Sequence, residues 1–369
     1  MIPPPAPSGR IPSLDGLRAL SIALVVVDHA AKTLPWDGPA LRAFTLVSGK
    51  GHLGVAVFFT ISGYLITRLL RQERERTGGI DLPAFYARRT IRIFPAFYAY
   101  IAVVAALTGA DVLDVAWPDT AAAATYLWNY KHVALSDLSG DGWWFLGHTW
   151  SLSLEEQFYL LWPFAVVALG VLGARRAAIA VVVLAPLSRV VTYALWPEGR
   201  GYIGMMLHTA ADGILVGAVV ALVEGEPWFE RAVGWLRSGL VPALAFGLAF
   251  VVSPLLAARF GGAYALPVGM TLESVCVTVL LVWAVRYPAT RVGRVLNSRP
   301  LAAVGVLSYS LYLWQQLFLA PYETPLTLAF PLNVVAAIAA ATASYWLVEK
   351  PFMRLRGRLR RREPMPAPI

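Results

Sequence analysis

Apolar residues run along this chain in blocks of about 20, the length a helix needs to cross a bilayer, with most arginines outside the blocks. The blocks fall at 13–33, 51–70, 90–109, 150–172, 177–196, 205–224, 238–257, 266–285, 300–320 and 329–348. They predict an all-α fold, a polytopic integral membrane helical bundle of about ten transmembrane helices. Residues 1–12 form an N-terminal tail, 13–351 the transmembrane domain, and 352–369 a basic C-terminal tail. The opening MIPPPAPSGRIPSL has no charged segment leading into an apolar core with a cleavage site, so the first span is expected to act as its own insertion signal. No solenoid-type repeat is visible.

Polar positions inside the blocks are few and patterned. In the first block Arg18 and His29 are eleven positions apart, which brings both onto one stripe of a helix, roughly 16 Å apart along its axis. Asp15 is one turn from Arg18 and can pair with it. The stretch GHTWSLSLEEQFYLLWP at 147–163 sets His148 and Glu155 on a shared face, with Glu156 beside it. Other polar residues fall at similar depths: Arg189, His208, Asp212, Glu273, Gln315 and Gln316. These residues are expected to gather around one wet cavity in the outer half of the bundle. Ionisable groups within membrane helices are costly and tend to mark function, although Arg189 with Glu273, or His208 with Asp212, would also serve as structural pairs.

Composition agrees with a membrane chain: 58% of residues are hydrophobic and 14% charged, well below the charged share of about a quarter in soluble domains. The net charge of +9 would suggest nucleic acid in a soluble protein. Here it is expected to meet anionic lipid, because most Lys and Arg fall on one side of the predicted spans. Lys32, Arg42, Lys50, Lys131, Arg200 and Arg259 are left for the other side. That asymmetry predicts cytoplasmic termini. The single cysteine, Cys276, excludes an intrachain disulfide and reads as a packing residue. No metal site is expected. The long outer segment 110–149 carries aspartates and aromatic residues, which suit an interfacial belt or a platform for a sugar.

A histidine near carboxylates suits general-base chemistry or a transient acyl carrier. Hydrolase and nucleotide signatures are missing: there is no G-x-S-x-G elbow, Walker loop or dinucleotide motif. HTAAD at 208–212 is one residue short of the H-x4-D spacing of glycerolipid acyltransferases. Ser62 and Gly63 in FTISGYL read as a helix-packing pair. ARRTIRIFP puts Arg88, Arg89 and Arg92 at the start of the third block, either as plain positive-inside topology or as a phosphate clamp.

Several stretches together resemble the acyltransferase 3 family of integral membrane acyltransferases. They are LDGLRALSIALVVVDHA with its R-x10-H pattern, GVAVFFTISGYLIT, RRTIRIFPAF with R-x-x-R at Arg89 and Arg92, HTWSLSLEEQFYLLWP, GVLSYSLYLWQQLF and SYWLVEKP. One departure is Gln315, where many members have histidine. The resemblance implies an enzyme that transfers acyl groups other than aminoacyl groups. Acyl-CoA, with acetyl-CoA the expected donor, would approach from the cytoplasm as a substrate; no bound cofactor is expected. Arg18, Arg88, Arg89 and Arg92 would hold the donor. His29 would act as base or relay, with Glu155 or Glu156 orienting its ring. Asp28, His148, Trp150, Arg189, His208, Asp212, Glu273 and Gln315 would line the acceptor cavity. The acceptor would be a saccharide of the cell envelope or a glycosylated metabolite, the location a bacterial inner membrane, and the chain would work without the hydrolase-like domain fused to some members. A proton-coupled exporter using the same His and Glu residues, and a non-catalytic scaffold, are the competing readings.

Overall fold

The computed structural model describes residues 11–34, 49–131 and 140–354. The termini expected as tails therefore lie largely outside the described residues, as do Arg42 and the middle of the 110–149 segment. Among the described residues the regular elements are all helical. A backbone in lipid must satisfy its own polar groups, and helices do so within one segment.

Helix α1 (Pro12–Ala31) begins with a proline in its first turn, where the missing N–H would be unpaired anyway. It is followed by α2 (Gly51–Thr77), whose last turn carries Arg74 and Arg76 and closes on Gly78 at φ 78°, a left-handed cap suited to glycine. Asp81 then starts α3 (Leu82–Gly109) by accepting from the Ala84 amide at 2.9 Å. A short helix, α4 (Trp117–Ala124), leads towards α5 (Thr149–Leu195). At 47 residues α5 is far longer than one bilayer crossing, and Gly170 at φ 68°, ψ 175° breaks it in two. The break falls inside the block expected at 150–172, near its end and shortly before the division expected ahead of 177–196.

Downstream lie α6 (Asp212–Val223), α7 (Pro227–Trp235), α8 (Leu240–Phe260), α9 (Gly262–Arg286), α10 (Arg291–Leu296), α11 (Arg299–Phe318) and α12 (Leu332–Arg354). Among the described residues six helices are long and apolar enough to cross a membrane: α2, α3, α5, α8, α9 and α12. This measure does not reach the expected count of about ten. It takes the broken α5 as one helix. α1 falls outside it, carrying Asp15, Arg18 and Asp28, and α6 is only 12 residues long. The block expected at 205–224 starts late because Leu207–Ala210 forms a separate turn before Asp212.

Packing places α1 between α2 and α11, with α6 laid along α2 and against α5. Two glycines permit the closest crossing. A β-carbon on Gly63 would overlap the Ile214 carbonyl, and one on Gly217 the Thr60 carbonyl, so α2 and α6 meet backbone to backbone. The expectation that Gly63 serves helix packing is met. Ser21 of α1 donates to the Gly54 carbonyl of α2, and Trp162 Nε1 of α5 donates to Thr67 Oγ1 of α2 at 2.8 Å. The second half of α5 turns Val183, Leu184, Leu187 and Leu195 outward, an apolar surface suited to lipid. The fold is that of a multi-pass membrane protein.

Candidate active site

Helix α1 joins two interior polar clusters. At its His29 end, Nδ1 of the imidazole lies 2.8 Å from Gln315 Oε1 of α11. The ring also meets Trp144 edge-on, with centroids 5.1 Å apart. Gln315 Nε2 donates to Gln316 Oε1 at 2.8 Å, and Gln316 Nε2 donates to the Trp144 carbonyl at 2.8 Å. Trp144 Nε1 returns a bond to the Gln316 carbonyl, also at 2.8 Å. Gln315 and Gln316 are 0% and 3% exposed, so water cannot replace these partners.

His148 is within electrostatic reach of His29. Its ring stands between Tyr100, at 5.2 Å, and Tyr312, at 5.5 Å between centroids. It is buried, and neither ring nitrogen has a hydrogen-bond partner among the described residues. Tyr312 is occupied elsewhere: its hydroxyl lies 2.6 Å from Ser151 Oγ and 3.1 Å from the His148 carbonyl. An unpaired buried imidazole is costly, and a polar ligand would relieve it.

The second cluster surrounds Arg18. Its Nη1 is 3.2 Å from Asp15 Oδ1, the one-turn pairing expected from the spacing. Tyr159, Arg89 and Glu155 are within its electrostatic reach. The Arg89 guanidinium sits over the Tyr159 ring at 4.0 Å. Ser62 and Tyr159 both hydrogen-bond Glu155 Oε1, and their own hydroxyl oxygens are 3.0 Å apart. Glu156 is in electrostatic reach of Glu155 and Arg89.

Glu155 therefore does not orient the His29 ring, contrary to expectation; Gln315 does. The reason is the direction of the helices. α5 starts within electrostatic reach of the His29 end of α1 and runs in the opposite direction, towards the level of Arg18, and the seven residues from His148 to Glu155 cover about 10 Å. His148 is left near His29, and Glu155 arrives near Arg18.

The other expected residues separate. Arg189 and Asp212 pair with each other at 2.5 Å, both essentially unexposed. Arg189 Nε also donates to the Thr209 carbonyl at 2.7 Å, and Nη1 to Thr271 Oγ1 at 2.9 Å. This is a brace tying α5, α6 and α9, and it replaces the pairings of Arg189 with Glu273 and of His208 with Asp212. Glu273 instead accepts from Ser253 at 2.7 Å and faces His52 at 3.5 Å. His208 is exposed, 3.2 Å from the Tyr130 hydroxyl. Asp28 pairs with Lys32 at 3.0 Å, and Trp150 packs on Phe59 at 5.9 Å. Of the arginines, Arg88 turns to Glu73 at 3.3 Å. Arg92 lies in reach of Glu349, which accepts from Ser310 in a π-helical turn of α12.

Sequence reasoning did not single out Tyr159 or Tyr312, placed Trp144 only among the aromatic residues of the outer segment, and read Ser62 as packing alone. Tyr159 had a signal, being four residues after Glu155 on the same helical face. Trp144 had no signal pointing to His29, since it comes from the short turn Gly142–Phe145 before α5. Among the described residues no group of three His, Cys, Asp or Glu side chains is placed to hold a metal ion.

Fold and site define a class: a multi-pass helical membrane protein with an interior histidine at one level and an arginine–glutamate cluster at another. The family described as an acyltransferase domain, acyltransferase 3, matches residues 11–350. The chain belongs to this family. It is 30% identical over 378 residues to a Bacillus subtilis protein provisionally named a peptidoglycan O-acetyltransferase, covering 92% of this chain and 54% of that one. It is 29% identical over 372 residues to the peptidoglycan O-acetyltransferase OatA of Listeria monocytogenes, covering 93% and 54%. The chain thus spans about half the length of the curated relatives it matches. No solved structure matches it significantly.

Proposed function

We propose that this chain is a membrane O-acyltransferase, moving an acetyl group from cytoplasmic acetyl-CoA to a hydroxyl of a cell-envelope saccharide or a glycosylated metabolite. The observation that carries the reading is α1 itself. Its His29 meets Gln315 of α11, and its Arg18, paired with Asp15, lies within electrostatic reach of Arg89, Glu155 and Tyr159 of α3 and α5. The names of the relatives support acetyl as the group and a cell-wall saccharide as the acceptor.

In this scheme Arg18 and Arg89 attract the phosphates of the donor, and Arg88 and Arg92 flank the approach. The thin pantetheine arm extends along α1 towards His29. His29 removes the proton of the acceptor hydroxyl, whose oxygen attacks the thioester carbonyl. The carbon–sulfur bond then breaks, and the imidazolium gives the proton to the departing sulfur, which regenerates neutral His29 and releases the free thiol of coenzyme A. His148 supplies a second polar contact for the acceptor or the carbonyl oxygen. A positioned base contributes about 10²–10⁴ in rate. The arginine distribution supports cytoplasmic termini in a bacterial inner membrane.

The test combines two measurements. Purified protein in lipid nanodiscs is given labelled acetyl-CoA and envelope saccharide fragments, and glycans and metabolites of cells with and without the gene are compared by mass spectrometry. Gene-dependent O-acetyl groups, lost in His29→Ala, are expected. Identical acetylation in both strains would overturn the reading.

A further inference from the structure

We infer that Gln315 and Gln316 form an amide relay that locks His29 in its Nδ1–H tautomer, leaving Nε2 as the proton acceptor. The assignment follows from one fixed point. The Trp144 carbonyl can only accept, so the side-chain atom of Gln316 that faces it at 2.8 Å must be the NH2 group. The other end of that amide is then its oxygen, which can only accept. It faces Gln315 at 2.8 Å, so Gln315 must present its own NH2 there. Gln315 consequently turns its oxygen to His29 Nδ1, also at 2.8 Å, and that nitrogen must carry the hydrogen.

No step of this chain can be reversed by itself. Flipping either amide would set oxygen against oxygen at one junction and nitrogen donor against nitrogen donor at another. Burial removes the usual escape, since both glutamines are essentially unexposed. The starting point is held from the opposite direction as well, because Trp144 Nε1 donates to the Gln316 backbone carbonyl. The tautomer of a histidine is set by the bond its other nitrogen makes. A carboxylate commonly provides that bond, and here a neutral amide, itself oriented by a second amide, provides it. Gln315 and Gln316 are thus positioning residues: they act on the reaction through His29.

The tautomer stands independently; its consequence for catalysis rests on the acyltransferase reading. The experiment separates the two. Protein labelled with 15N in its histidine rings is placed in nanodiscs, and the His29 signals are assigned by their loss in His29→Gln. The wild type is expected to show a protonated Nδ1 and a bare Nε2. Gln315→Leu removes the acceptor and is expected to give mixed tautomers together with a loss of acyl transfer of about 10²–10⁴-fold. Gln315→Glu, which can still accept from Nδ1 and, when protonated, still donate to Gln316 Oε1, is expected to restore the single tautomer and to be more active than Gln315→Leu. A wild-type spectrum dominated by Nε2–H, or an unchanged single tautomer in Gln315→Leu, would overturn the relay. Wild-type protein with the expected tautomer and no acyl transfer would instead sink the enzymatic reading and leave the relay intact.

Discussion

The Arg89 guanidinium lies over the Tyr159 ring at 4.0 Å, and the Tyr159 hydroxyl in turn reaches Glu155. One aromatic side chain thus links a cation from α3 to a carboxylate on its own helix, α5. Tyr159→Phe keeps the ring under Arg89 and removes the bond to Glu155. A bond to a charged group is worth about 1.5–3 kcal/mol. Steady-state kinetics should show KM for acetyl-CoA raised at least tenfold with kcat little changed. A fall in kcat at constant KM would move this cluster from donor binding to the chemical step.

Arg88 and Arg89 are adjacent in sequence but turn to different partners. Arg88 is already paired with Glu73 at a half-buried site, while Arg89 faces the cluster around Glu155. Arg89→Ala is expected to weaken acetyl-CoA binding by at least tenfold in isothermal titration, and Arg88→Ala by less than threefold. Equal losses would mean that both serve only as surface charge.

Arg189 and Asp212 give a stability prediction. Removing one partner of a buried ion pair leaves the other uncompensated, at a cost of about 3–5 kcal/mol. Arg189→Leu should sharply lower the thermal unfolding midpoint in detergent. Adding Asp212→Leu to it should recover part of the loss, since no unpaired carboxylate then remains. Unaltered unfolding in Arg189→Leu would show that the brace bears no load.

The crossing of α2 and α6 has no room for a side chain at Gly63. Gly63→Leu is expected to force the two backbones apart and to lower the yield of folded protein, read by size-exclusion chromatography. Gly78→Ala, at a helix cap with no neighbour within 4 Å, should behave close to wild type in the same assay, apart from mild strain at its positive φ.

Glu155 and Glu156 are adjacent, and their surroundings predict unequal roles. Glu155 accepts from Ser62 and Tyr159, and Arg18 is in its reach. Glu155→Gln cannot satisfy two donors and an arginine in the same way, and acyl transfer should fall at least tenfold. Glu156→Gln should fall less. The reverse order, measured side by side in nanodiscs, would contradict the placement of Glu155 at the centre of this cluster.

Much of the molecule was legible along the chain. Block lengths and apolarity announced a helical membrane bundle, and the period of the helix put Arg18 and His29 on one stripe of α1 and Asp15 within reach of Arg18. The proline in the first turn of α1 and the break at Gly170 emerged only with the structure. The legible features are local. They depend on the geometry of one helix and on what its own residues permit.

Partnership was decided by tertiary structure. Helical periodicity states which face a residue occupies, but apolar faces are interchangeable, so it does not state which helix covers that face. Backbone contact at Gly63 and Gly217 and the antiparallel course of α5 relative to α1 settled that choice. They gave Arg189 to Asp212 instead of Glu273, Glu155 to Ser62 and Tyr159, and the His29 ring to Gln315. The sequence alone determined that buried polar groups needed partners; only packing in three dimensions, where donor must face acceptor at hydrogen-bond distance, determined which.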